Sequence, residues 1–121
     1  KPYHVIKTYQ SPYPNPVIFN KGDSVIIGKE FHDIPDWKDW VWCKYKTGCR
    51  AWIPKQYLVI SGNLGILNRD YNARELSVEP GEIISIFEII NGFGMAEKSD
   101  GDKGWVPLNH LEILNENIHE T

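Results

Sequence analysis

The sequence predicts an all-β chain folded as two small barrels of about five strands each, in tandem. Three observations carry this prediction. Apolar residues come in short β-branched and aromatic runs broken by Gly, Pro, Asn and Asp, and nowhere do they hold the three-and-four spacing of an amphipathic helix. The chain repeats itself once, with the same punctuation in both copies. Each copy is only about 55 to 60 residues, so a flat sheet of that size buries too little apolar surface and closure on itself is the economical solution.

The repeat is read from its fixed points. Val17-Ile18-Phe19-Asn20-Lys21-Gly22-Asp23, followed by Ser24-Val25-Ile26-Ile27, matches Leu76-Ser77-Val78-Glu79-Pro80-Gly81-Glu82, followed by Ile83-Ile84-Ser85-Ile86. Further on, Ala51-Trp52-Ile53-Pro54-Lys55-Gln56-Tyr57-Leu58 matches Gly104-Trp105-Val106-Pro107-Leu108-Asn109-His110-Leu111. The turn glycines lie 59 apart and the prolines 53 apart, so the first copy carries six extra residues, which fall in the polar stretch 29–39. Ser61-Gly62-Asn63 is the expected boundary. The first barrel is thus expected at 1–60 with an extended loop at 29–39, the second at 61–114, and a polar, frayed tail at 115–121. Period-two alternation selects Val5, Val17, Phe19, Val25, Ile27, Cys43, Ile53 and Leu58 as the first core. It selects Leu67, Leu76, Val78, Ile84, Ile86, Ala96, Val106 and Leu111 as the second.

Composition narrows the function. A net charge of −3 and a pI near 5.8 argue against nucleic acid or anionic lipid as the main partner. No run approaches the roughly 18 apolar residues of a membrane helix, which points to a cytoplasmic protein, although a start at Lys1 leaves room for a removed export signal. Cys43 and Cys49 flank a Lys46-Thr47-Gly48 turn and read as two reduced thiols, with Cys43 in the core. His4, His32, His110 and His119 have no metal-ligand spacing, and Asp100-Gly101-Asp102 reads as a hairpin turn rather than a calcium loop. No phosphate-cradling glycine loop is present, and no nucleophile, base and orienting group can be assembled. The expectation is a non-enzymatic protein without cofactor or metal.

The motifs resemble the Src-homology-3 (SH3) family twice over. The second copy carries Asp70-Tyr71-Asn72-Ala73, Glu75-Leu76-Ser77-Val78 and Gly104-Trp105-Val106-Pro107-Leu108-Asn109. The first carries Lys21-Gly22-Asp23, Trp40-Val41-Trp42 and Trp52-Ile53-Pro54-Lys55-Gln56-Tyr57-Leu58. The overall style resembles bacterial tandem proteins with variant domains of this family. The resemblance implies a groove of parallel aromatic ridges that grips an extended or proline-rich peptide, already ordered as a polyproline II helix. Carried over by position, the first-barrel groove is Tyr9, Trp40, Trp52, Pro54 and Tyr57. A weaker second-barrel groove is Tyr71, Glu75, Phe93, Trp105 and Pro107, with Arg69 and His110 at further groove positions. The family's first groove tyrosine falls on Lys7 in the first copy, and its acidic specificity residue falls on Pro16, leaving Asp33, Asp36 and Asp39 as substitutes.

The resulting expectation is a protein–protein interaction module whose first barrel holds the peptide and whose second, with only ten positions from Tyr71 to Gly81, mainly supports it. Two other readings remain. The barrels are a structural tandem with occluded grooves, in which case Trp40 and Tyr57 are buried; or the protein binds cell-wall peptide or glycan as a secreted bacterial relative. Ser11-Pro12-Tyr13-Pro14-Asn15-Pro16 reads as a stiffened hairpin loop. Trp40 and Trp42 are expected to share a face turned away from the core side of Cys43.

Overall fold

The computed structural model describes residues 2–30 and 39–114 of the chain. Its regular structure is strand, apart from single 3₁₀ turns at Lys55–Tyr57 and Leu108–His110. One five-stranded antiparallel sheet has the order β5 (Arg50–Pro54), β4 (Trp40–Tyr45), β3 (Ser24–Glu30), β7 (Leu64–Leu67), β6 (Leu58–Ser61). The other has the order β11 (Lys103–Pro107), β10 (Phe93–Glu97), β9 (Ile83–Ile90), β1 (Pro2–Val5), β12 (Leu111–Ile113). A short ladder joins β2 (Ile18–Phe19) to β8 (Tyr71–Asn72).

The two sheets have the same strand order once each repeat is laid on the other, with one exchange. The first strand of the first repeat, β1, pairs with β9 and β12 of the second. The first strand of the second repeat, β7, pairs with β3 and β6 of the first. The chain accordingly divides into one unit of Asn15–Arg74 and another of Lys1–Pro14 with Glu75–Thr121, rather than at residues 61–63. The chain passes from one unit to the other at Pro14–Asn15 and at Arg74–Glu75.

Two local causes explain why the sequential boundary fails. Gly62, at φ 61°, and Asn63 form a two-residue turn that folds β7 straight back on β6, with Ser61 opposite Leu64 and Leu58 opposite Leu67. What reads as a linker is therefore a hairpin. The second cause is steric. Gly65 faces Val25, and a Cβ there would already touch Ile27, Leu58 and Val25 at 3.4 Å. The corresponding place in the other sheet, opposite Ile84, is taken by Tyr3, packed against the core of that unit. A tyrosine ring does not fit the place that a glycine occupies.

The core of the second-repeat sheet is Val5, Leu76, Val78, Ile84, Ile86, Ala96, Val106 and Leu111. These are the alternation-selected positions with Val5 in the place expected for Leu67. In the other unit Phe19, Val25, Cys43, Ile53, Leu58 and Leu67 are buried, each large side chain contributing about 1.5–3 kcal/mol. Val17 and Ile27 are only half-buried, Ile27 standing where a bulge interrupts its pairing with β4.

The repeated acidic residue after the turn glycine has a physical role. Asn20 N–H donates to Asp23 Oδ2 at 2.8 Å, and Glu79 N–H donates to Glu82 Oε2 at 2.6 Å. Both close turns whose glycines, Gly22 and Gly81, sit at φ 93° and 95°.

Candidate functional site

The residues expected to line the grooves are each delivered by a recognisable local element. Trp40 opens β4. Trp52 lies at the centre of β5, and Pro54 ends it and leads into the 3₁₀ turn that carries Tyr57. In the other unit Phe93 opens β10, Trp105 and Pro107 end β11, and the following turn carries His110. The exchange of strands regroups the remaining members. Tyr71, expected with the second barrel, lies in the Asn15–Arg74 unit, its hydroxyl donating to the carbonyl of Trp52 at 2.7 Å and its ring 5.5 Å from Tyr57. Tyr9, expected with Trp40 and Tyr57, lies in the other unit beside Glu75 and His110.

In the Asn15–Arg74 unit the aromatic residues expected to line the groove are closed to solvent. Trp40 is 3% exposed, Tyr57 4% and Trp52 8%, and Pro54 and Tyr71 are buried as well. Trp40 therefore does not stand open on the face away from the core, as alternation along β4 suggests. Trp42 is half-buried, its ring 4.9 Å from Trp52. The Arg69 guanidinium lies 4.3 Å from the centre of the Tyr57 ring, a cation–π contact at a groove position. Pro16, at the family's acidic position, is exposed. Of the substitute acids, Asp33 and Asp36 lie outside the described residues. Asp39 stands at φ 68°, and its carbonyl accepts the N–H of Lys55.

The other unit gathers a compact polar group. The Tyr9 hydroxyl donates to Glu75 Oε1, and Glu75 is only 5% exposed. Burial pushes the Glu75 carboxyl up to about 7, the hydrogen bond from Tyr9 acting in the opposite direction. Burial, then the bond to Glu75, holds the Tyr9 phenol above its ordinary range. The His110 ring meets Tyr9 edge-on at 5.3 Å, and its Nδ1 lies 3.2 and 3.1 Å from the carbonyl oxygens of Lys7 and Thr8. Carbonyls only accept, so Nδ1 carries the proton and donates to them. Phe93, Trp105 and Pro107 are buried.

Chemically, the carboxyl that the SH3 resemblance assigns to a basic ligand residue is turned inward onto a tyrosine of its own unit. Among the described residues no group of three His, Cys, Asp or Glu side chains is placed to hold a metal ion. Cys43 is buried and burial pushes its thiol up to about 12, whereas Cys49 is exposed; both are free thiols. Asp100-Gly101-Asp102 closes a turn, with Gly101 at φ 90° and Asp102 N–H donating to Asp100 Oδ1. No described helix is long and apolar enough to cross a membrane. The Tyr9–Glu75 pairing was not legible from motif order, which places Tyr9 with its sequence neighbours. The one available signal was the mismatch between Tyr3 and Gly65.

Residues 64–114 match the family described as Variant SH3 domain. No curated protein and no solved structure matches the chain. The matched segment follows the sequence repeat and not the folded unit, since its first strand, β7, is built into the Asn15–Arg74 unit. SH3-type domains are binding modules, most often for proteins and peptides.

Proposed function

We propose that the chain is a non-enzymatic interaction module of two SH3-type barrels, each completed by the other's first strand, in which the family's aromatic groove serves internal packing. The observation that carries this reading is the burial of Trp40 and Tyr57. An SH3 groove that accepts a polyproline II segment presents its aromatic ridges to solvent, since the ligand gains affinity by covering them. Here they are already covered. The inward bond from Tyr9 to Glu75 supports the same reading for the other unit, because the acidic position offers no open carboxylate to a ligand arginine.

The identical strand order of the two sheets supports the two-barrel architecture, including the repeat that the family match leaves out. The alternative, an open first-barrel groove on Tyr9, Trp40, Trp52, Pro54 and Tyr57, has its members in two different units.

The test is a titration with a pooled proline-rich peptide library, read at the tryptophan indole N–H resonances and assigned with Trp40→Phe. The expected result is no shift at Trp40 or Trp52. A saturable shift of the Trp40 indole overturns the closed-groove reading.

A further inference from the structure

The two sheets can be compared row by row, because corresponding residues pair in the same register. In the second-repeat sheet one row across four strands runs Pro2, Ser85, Glu97, Lys103. Glu97 and Lys103 are opposite charges in register, the arrangement that stabilises neighbouring strands. The equivalent row of the other sheet runs Leu64, Ile26, Lys44, Arg50. Two cations stand directly opposite each other, a pairing that costs stability, and two aliphatic side chains continue the row.

The next row repeats the contrast. In one sheet His4 Nε2 lies 3.2 Å from Glu112 Oε1 beside Ile83; in the other the same places hold Ile66 and Val59, beside Ser24. Ile26 is 48% exposed, Val59 62%, and Leu64 and Ile66 39% each. Among the described residues neither Lys44 nor Arg50 has a carboxylate within ion-pair distance. A third cation, Lys46, lies over the Tyr45 ring and also acts on the Asp23 carboxylate, which accepts hydrogen bonds from Tyr45 and Asn20. A depression of about 310 Å³ lined by Ser24, Val25, Ile26, Lys44, Tyr45 and Lys46 sits where the basic and apolar halves meet.

We propose that this outer face of the β3–β4–β7 sheet is a docking surface for an acidic peptide segment that also carries aliphatic or aromatic side chains. Charge complementarity selects the occupant. Three cations cluster beside exposed aliphatic residues in a chain whose net charge is −3, and among the described residues two of them, Lys44 and Arg50, have no carboxylate within ion-pair distance. The acidic groups of the segment meet Lys44, Lys46 and Arg50, and its apolar groups cover Ile26, Leu64, Ile66 and Val59. A like-charged cross-strand pair is tolerated in such a place because its partner in the complex neutralises it. This surface lies on the same face of β4 and β5 as Trp40, Trp42 and Trp52 but uses none of those residues; it rests only on the chain being an interaction module, so its failure and that of the closed groove are read in different experiments.

The test uses the full chain and a displayed library of random twelve-residue peptides, selected on wild type and counter-screened on Ile26→Ser with Lys44→Glu. The double variant rebuilds the row found in the other sheet, and with a carboxylate placed opposite Arg50 it should unfold no earlier than wild type. The expected outcome is enrichment of net-acidic clones with apolar residues, whose affinity falls at least tenfold on the double variant and with added salt. No enrichment, or clones that bind both proteins equally, overturns the proposal. Tighter binding of anionic lipid vesicles or single-stranded DNA than of any selected peptide also overturns it, in favour of a general polyanion surface. Should the double variant unfold early, Arg50→Gln at the sheet edge replaces it, and equal binding there counts against the proposal in the same way.

Discussion

Replacing Glu75 with Gln removes a buried carboxyl at the point where the chain re-enters the unit that holds residues 1–14, and the consequence for stability can be worked from the structure. In the unfolded chain this carboxyl titrates near 4.5, and in the folded protein burial holds it at about 7. Between those values the folded state keeps a proton that the unfolded state has released, so stability falls as pH rises through that window and levels off above it. The full gap corresponds to about 3 kcal/mol, and partial solvent access at the site reduces this to about 2 kcal/mol. Glutamine keeps an oxygen to accept the Tyr9 hydroxyl and has no charge to desolvate. Urea unfolding of both proteins at about pH 4.5 and about pH 8 reads the difference. The variant should be close to wild type at the lower pH and about 2 kcal/mol more stable at the higher. Parallel pH profiles, or a variant less stable than wild type at the higher pH, refute the reasoning.

Four further outcomes are expected. Val5→Ala should cost about 2 kcal/mol and lower amide protection in β9 and β12 rather than in β3, because Val5 packs in the second-repeat core; loss confined to β3 would contradict the strand exchange. Gly94→Ala should destabilise by about 1–3 kcal/mol, since its Cβ would come within 3.0 to 3.2 Å of Ile86 and Leu108, as chemical denaturation would report. Gly65→Ala, whose Cβ makes ordinary contacts, should be neutral or stabilising by up to about 1 kcal/mol in the same assay. A thiol reagent should titrate Cys49 quickly and Cys43 only on unfolding; two fast thiols in the native protein would contradict the burial of Cys43.

Much of the fold was legible because strand periodicity and turn chemistry act locally. Gly22 with Asp23 and Gly81 with Glu82 mark turns whose hydrogen bonds the structure contains, and alternation found Phe19, Val25, Ile84 and Val106 in the cores. The place of β1 and β7 was not legible by the same means. Alternation says which side of a strand faces inward, but not which of two similar sheets receives it. One steric difference that bears on that choice, Tyr3 against Gly65, carries weight only once the neighbours of each position are known. The candidate site inherited the same ambiguity. Motif order gathered Tyr9 with Trp40 and Tyr57, whereas the exchanged strand carries Tyr9 to Glu75. The burial of Trp40 was beyond sequence reasoning for a related reason, since a tryptophan at the start of a strand reads the same whether it is open or covered.

Gly65 also bears on which pairings are open to the chain as it leaves the ribosome. When β3 to β6 have emerged, β1 is the only first strand yet synthesised, and the place beside β3 is vacant. A chain that filled it then would trap the N-terminal strand in the wrong sheet. The narrow space around Gly65 rejects Tyr3, so that place stays unfilled until residues 64–67 arrive directly behind the hairpin turn. The N-terminal segment must then wait for roughly 46 more residues before β9 and β12 are both available, about 2 to 9 s at ordinary elongation rates. Until β9 emerges Tyr3 has no cross-strand partner, and the last neighbour of its strand, β12, lies more than a hundred residues further on.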